Sequence, residues 1–211
     1  MLRIKKAFSG VWHFIWNDNS VWSWIVNIIL AFLLIKFIVY PVIGFAMGTS
    51  HPIVAVISES MEHEGNFDLW WTSSACNFNC AQSDVYTHYN ITKEEFLKFR
   101  MHNGFNTGDI IILRGINPEK IEKGMIIVFD ADGAEPIIHR VVNKWSDGSI
   151  YRFTTKGDHN QVSLIKETDI PEDKIIGVAV IRVPYLGYIK IWFVDYIVKP
   201  VLYIFRSISN R

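Results

Sequence analysis

Two long apolar stretches bracket a middle section of short alternating ones. The first runs from Val21 to Met47, VWSWIVNIILAFLLIKFIVYPVIGFAM, and its first twenty residues hold one charge, Lys36. Twenty helical residues rise about 30 Å, the thickness of a bilayer's hydrocarbon core. That length predicts a transmembrane anchor over residues 20–47. Trp22, Trp24 and Tyr40 stand where interfacial aromatic rings sit, and Lys36 is placed to snorkel to the headgroups. A buried core helix is disfavoured by the length and the aromatic flanks. A cleaved signal peptide is disfavoured because the run exceeds a usual h-region and no small-residue cleavage site follows it. Residues 1–19 begin with Arg3, Lys5 and Lys6 and continue as AFSGVWHFIW, a basic amphipathic segment that ends at the break NDNS. Those cations favour a cytoplasmic N-terminus, with everything after residue 48 on the extracytoplasmic side.

From residue 48 to 183 the pattern changes to short β-branched runs separated by Gly, Asp and Pro. They are IVAVIS, DIIILRG, GMIIVFD, EPIIHRVVNKW, SIYRFTTKGD and KIIGVAVIRV. Such runs predict a mainly β domain, a sandwich or a partly closed barrel. TKEEFLKFRMH departs from the pattern. Thr92 and Glu95 have capping-box spacing, which predicts a helix over 92–102 inserted in the β domain. The second long apolar stretch, residues 184–211, carries Lys190, Asp195, Lys199 and Pro200. Charges at mid-bilayer are costly, so this C-terminal helix is read as either interfacial or spanning.

Composition narrows the class. The 211 residues are 50% apolar and 14% aromatic, which excludes a disordered chain, and a formal net charge of zero gives no basic field for nucleic acid. Five of the eight Trp (Trp12, Trp16, Trp22, Trp24 and Trp192) lie in or beside the terminal apolar segments. The two cysteines, Cys76 and Cys80, allow one local bridge and no closed zinc site. Neither metal nor cofactor is implied.

Three islands carry chemistry: ISESMEH with Ser58 and Ser60 after an apolar strand, IIHRVV with His139, and TTKGDHN with Asp158. Serine is a weak nucleophile until a base takes its proton, and a carboxylate behind the imidazole sets its tautomer. Spacing alone does not decide the matter. His139 is equally readable as a half-buried strand residue, and Asp158 as the pivot of an Asx-turn.

In order, the boxes SESM (Ser58 to Met61), TGDIIIL with Gly108 and Asp109, HRV (His139 to Val141), KGDHN (Lys156 to Asn160) and IRVPYLGYI resemble those of the signal peptidase I family, in its archaeal and endoplasmic-reticulum branch. The resemblance runs from about residue 20 to 190. It implies a membrane-bound serine endopeptidase that cleaves signal peptides from translocated preproteins, at the cell membrane or the endoplasmic-reticulum membrane. Ser60 is then the nucleophile and His139 the general base, where the bacterial branch uses a lysine. It further implies that Ser58 lends a hydroxyl to the oxyanion hole and that Met61 lines the substrate groove. Two departures stand out. The family's second aspartate corresponds to Leu164, so the supporting acid is Asp158 or a displaced carboxylate, Glu167 or Asp169. Residues 62–107, with WWTSSACNFNC, form an insertion without a family reading; the simplest account is a surface subdomain with a Cys76–Cys80 bridge, or Trp70 and Trp71 touching bilayer or substrate. The rival reading is a non-enzymatic, membrane-tethered β module that binds preproteins or partner subunits.

Overall fold

The computed structural model describes residues 12–133 and 135–193, with positions 10, 196, 199 and 200 beside them. It divides into two compact units, Met1–Ala46 and Met47–Arg211. Arg3, Lys5 and Lys6 lie outside the described residues.

In the first unit residues 12–16 are helical and the chain reverses at the NDNS break. The Asp18 carboxylate accepts the Ser20 N–H at 2.8 Å, and Ser20 Oγ accepts the Ser23 N–H at 3.2 Å, capping the next helix. That helix, α1, runs from Val21 to Met47 and passes through a π-helical turn at Ile35–Val39. Pro41 explains the turn. Its ring has no N–H to donate and would clash with a carbonyl one turn back, so the helix widens just upstream of it. At 27 residues α1 is long and apolar enough to cross a membrane.

The second unit is built on one antiparallel sheet of seven strands in the order β1-β4-β9-β5-β6-β7-β8. These are β1 (Ile53–Ala55), β4 (Ile110–Arg114), β5 (Ile126–Phe129), β6 (Ile137–Ser146), β7 (Tyr151–Lys156), β8 (Ile170–Pro171) and β9 (Ile175–Val183). The six expected runs all contain strands, arranged in a single open sheet. β5 is apolar at every position because both its faces are covered. Ile126 and Val128 pack with Met61, Phe105, Ile111 and Leu113, while Ile127 and Phe129 pack with Ile121, Val141, Phe153 and Ile170. A bulge between Val141 and Asn143 breaks the alternation of β6. Val142 thereby joins a third cluster with Trp70, Trp71, Tyr86, Ile91 and Phe96.

That third cluster corrects the reading of residues 62–107. The segment contains α2 (Phe67–Trp71), a hairpin of β2 (Ser74–Ala75) and β3 (Cys80–Ala81), α3 (Gln82–His88) and α4 (Lys93–Phe96). Cys76 and Cys80 are bridged. Trp70 and Trp71, however, are buried in the cluster and available to neither bilayer nor substrate. The expected helix over 92–102 is one turn. Thr92 Oγ1 caps it through the Glu95 N–H, and the following residues turn. Phe96 from that turn fills the aromatic core, so packing rather than helix length holds it. At the other end, α5 (Tyr188–Phe193) starts the apolar C-terminal stretch. Most of the rest of that expected helix lies outside the described residues.

Candidate active site

Strand alternation sends adjacent side chains of β6 to opposite faces, and this separates His139 from Arg140. His139 pairs across the sheet with Ile127, and Arg140 with Ile126 and Lys156. His139 therefore shares its face with Val141 and Ile127. On that face its Nδ1 lies 2.7 Å from Glu167 Oε1, and both side chains are buried. Neither atom is aligned for a hydrogen bond, to the other or to any other described group. Catalytic contacts are often oblique until substrate binds. Glu167 arrives on a short 3-10 turn, Ile165–Glu167, and its Oε2 accepts the N–H of the N-cap residue Leu164 at 3.5 Å.

Ser60 follows β1. Its Oγ is 3.2 Å from Ser58 Oγ, and its carbonyl accepts the His159 N–H at 2.9 Å. Gly157 fits between Ser60 and the imidazole. A Cβ added there would stand 2.7 Å from His139 Nε2, 2.6 Å from Asn160 Nδ2 and 2.8 Å from the Ser60 carbonyl. No side chain larger than hydrogen fits, so the glycine of the KGD box is what lets the serine and histidine segments approach. The arrangement is a hydroxyl segment, an imidazole beside it with Nε2 inward, and a carboxylate at Nδ1. These are the parts of proton-relayed acyl transfer.

Asp158 is not the carboxylate behind His139. Its side chain is wholly buried and occupied elsewhere. Oδ2 lies 2.7 Å from Arg140 Nη2 and 3.0 Å from His63 Nε2, and Oδ1 accepts the Tyr86 hydroxyl at 2.7 Å and Arg140 Nε at 2.9 Å. Burial alone would raise its pKa, but the Arg140 charge and the His63 and Arg140 hydrogen bonds outweigh it and hold the carboxyl well below the usual range. A buried guanidinium requires such a partner. Asp169 is likewise engaged, with Arg152 at 2.9 Å on the surface. Among the three carboxylates weighed, Glu167 is the one in contact with His139.

Met61 also departs from expectation. It is 0% exposed, its Sδ accepts the Asp158 N–H at 3.4 Å, and its carbonyl accepts the Phe105 N–H. It is a core residue beneath the serine and lines no groove. Asp109 of the GDI box is buried too; its Oδ2 pairs with Arg182 at 2.6 Å and its Oδ1 accepts the Tyr185 N–H, which ties the RVPYLG segment to the sheet.

A polar network that spacing did not single out lies behind the site. The His63 ring stacks on Trp70 with centroids 3.6 Å apart, and Trp70 Nε1 donates to the Asp158 carbonyl at 3.1 Å. Lys156 Nζ is enclosed and donates to Gln82 Oε1 at 2.7 Å and to the Gly157 and Asp158 carbonyls. Burial lowers the Lys156 pKa to about 7 against the pull of Asp158 and Glu167, and burial also lowers that of His63. The Tyr86 phenol is pushed well up by burial and by Asp158, so it stays a donor. One signal was available in the sequence: an arginine inside the apolar strand IIHRVV has to be buried, and a buried arginine calls for its own acid.

No protein-family model matches the chain. It is similar to proteins named signal peptidase complex catalytic subunit SEC11. The relative from Colletotrichum graminicola is 38% identical over 103 residues, 46% of this chain and 60% of that protein. Those from Pyricularia oryzae and Plasmodium falciparum are 35% and 29% identical over 43% and 46% of this chain, and 57% and 55% of their own lengths. The chain thus spans somewhat more than half the length of the curated relatives it matches. Over a little under half of its own length, this chain is similar to proteins named as catalytic subunits of signal peptidase complexes.

Proposed function

We propose that the protein is a membrane-tethered serine endopeptidase that removes signal peptides from translocated preproteins. His139 Nε2 takes the proton of Ser60 Oγ as the oxygen attacks the scissile carbonyl. The developing oxyanion meets the Ser60 N–H and the Ser58 hydroxyl. Glu167 stabilises the imidazolium, which returns the proton to the leaving amine; water then releases the acyl group by the same relay. The single observation that carries this reading is the Glu167–His139 contact at 2.7 Å on the face where Gly157 brings in Ser60.

The substrate is read as an extended segment with small residues at −1 and −3. β1 suits it, as an edge strand that leads directly into Ser58–Ser60. The α1 anchor confines enzyme and membrane-held substrate to one layer and so raises their effective concentration. The relatives are named as subunits of a complex, which supports partner subunits here. The rival reading, a non-enzymatic tethered module, drew its support from the absent acid at position 164. The Glu167 carboxylate beside His139 supports the protease reading over it.

The test is Ser60→Ala in membranes supplied with a preprotein. Cleavage should vanish while the variant stays folded and membrane-bound. Undiminished cleavage by purified Ser60→Ala would refute the assignment.

A further inference from the structure

We infer that His63 and Tyr86, from the 62–107 insertion, are positioning residues for the serine–histidine pair, acting through Asp158. This rests on the proposed protease reading and deepens it.

Three features lead there. First, the loop at residues 157–159 touches both partners of the pair. Gly157 lies against His139 Nε2 and the Ser60 carbonyl, and the His159 N–H donates to that same carbonyl. The loop's position therefore sets how the nucleophile segment meets the base. Second, the loop is held by its one carboxylate. Asp158 binds Arg140, the residue next to His139 on β6, so one side chain couples the strand of the base to the loop that braces the serine. Third, two of the donors that fix this carboxylate come from the insertion: His63 Nε2 at 3.0 Å from Oδ2 and the Tyr86 hydroxyl at 2.7 Å from Oδ1. Trp70 and Gln82 of the same insertion add bonds to the backbone at Asp158 and Asn160.

Arg140 binds both oxygens side-on and so ties the carboxylate to β6. His63 and Tyr86, packed with Trp70 and Phe96, give each oxygen a second donor, so the loop is tied to the insertion as well as to β6. His63 has a further signature: its Nδ1 is buried with no polar partner among the described residues. An imidazole that spends an unsatisfied nitrogen in order to present Nε2 is placed for what Nε2 holds. Misplacement of reacting atoms by about 1 Å from a remote change costs on the order of 100-fold in rate.

Two substitutions at His63 separate positioning from packing. His63→Phe keeps the ring on Trp70 and removes the donor. His63→Gln keeps an N–H at the Nε2 position and removes the ring. Tyr86→Phe is the companion that removes only a hydroxyl. Each full-length variant is assayed in membranes or detergent for kcat and KM on a preprotein and for Tm. Positioning requires His63→Phe and Tyr86→Phe to lose about 10- to 100-fold in kcat with KM unchanged, and His63→Gln to retain activity while losing Tm. The reverse order, with His63→Phe fully active and His63→Gln impaired in proportion to its Tm, overturns the inference and leaves the protease reading standing. Cleavage that does not depend on Ser60 overturns the protease reading, and this inference with it.

Discussion

At the residue scale, two buried acids in one small region do different work. Glu167 faces His139, and Asp158 neutralises Arg140. Exchanging each for its amide should therefore give different failures. Glu167→Gln leaves the imidazole without its anionic partner and should cost about 10²–10⁴-fold in turnover, with little change in Tm. Asp158→Asn leaves a buried guanidinium unpaired and should cost about 3–5 kcal/mol of stability, read by chemical denaturation. A silent Glu167→Gln beside a catalytically dead but stable Asp158→Asn would return the acid role to Asp158. Lys156 gives a pH signature. Its folded pKa is about 7 against an ordinary 10.5. Between those values the unfolded chain holds a proton that the folded chain has shed, so this residue makes stability rise with pH across the window. Denaturation midpoints should climb from pH 7 toward 10, and Lys156→Met should flatten that rise. A wild-type midpoint that stays level would show the lysine to be charged in the fold.

At the scale of elements, the β2–β3 hairpin acts as a clasp on the chain beyond the KGD box. The Cys76 N–H donates to the Gln161 carbonyl at 3.2 Å, the Asn77 N–H to Gln161 Oε1 at 3.1 Å, and Gln161 Nε2 returns a bond to Ser74. The donors point that way because Cys76, Asn77 and Phe78 are all left-handed, with φ of 51, 54 and 67°. Non-glycine residues resist that conformation, and the bridge restrains it. A crosslink over so short a loop contributes about 2 kcal/mol on the chain-entropy account. The double variant Cys76→Ser, Cys80→Ser should lose about that much stability and lose amide-exchange protection first at Cys76 and Asn77. Unchanged exchange there would mean that the hairpin holds without its bridge. The bulge in β6 is the other element-scale device. It turns Val142 into the insertion's aromatic core, so strand and insertion share one packed cluster.

At the scale of the whole molecule, the anchor and the cations before it predict one topology: residues 48–183 on the extracytoplasmic side. Protease added to sealed inside-out vesicles should leave that region intact, and digestion of it would reverse the orientation. The long apolar helix and the strand runs were legible in the chain, and the Ser and His boxes could be picked out in it, because each is a local matter. A run of apolar side chains long enough for a bilayer, alternation of period two, and a box of adjacent residues need no knowledge of what lies across the fold. The identity of the supporting acid and the place of the insertion were not legible. Asp158 sits in the right motif, but β6 sends His139 and Arg140 to opposite faces, and Arg140 takes the nearby charge because a buried guanidinium without one is far costlier than a neutral imidazole. Glu167 carries no motif; only the turn at Ile165–Glu167 folds it beneath His139. Trp70, Tyr86 and His63 read as surface insertion in the sequence and lie in the core, because the carboxylate and the apolar strand they cover come from residues 142–158, far along the chain. Sequence determined which groups were present and which strands and helix would form. Tertiary structure alone decided which charge met which, since desolvation acts on neighbours in space and not in sequence.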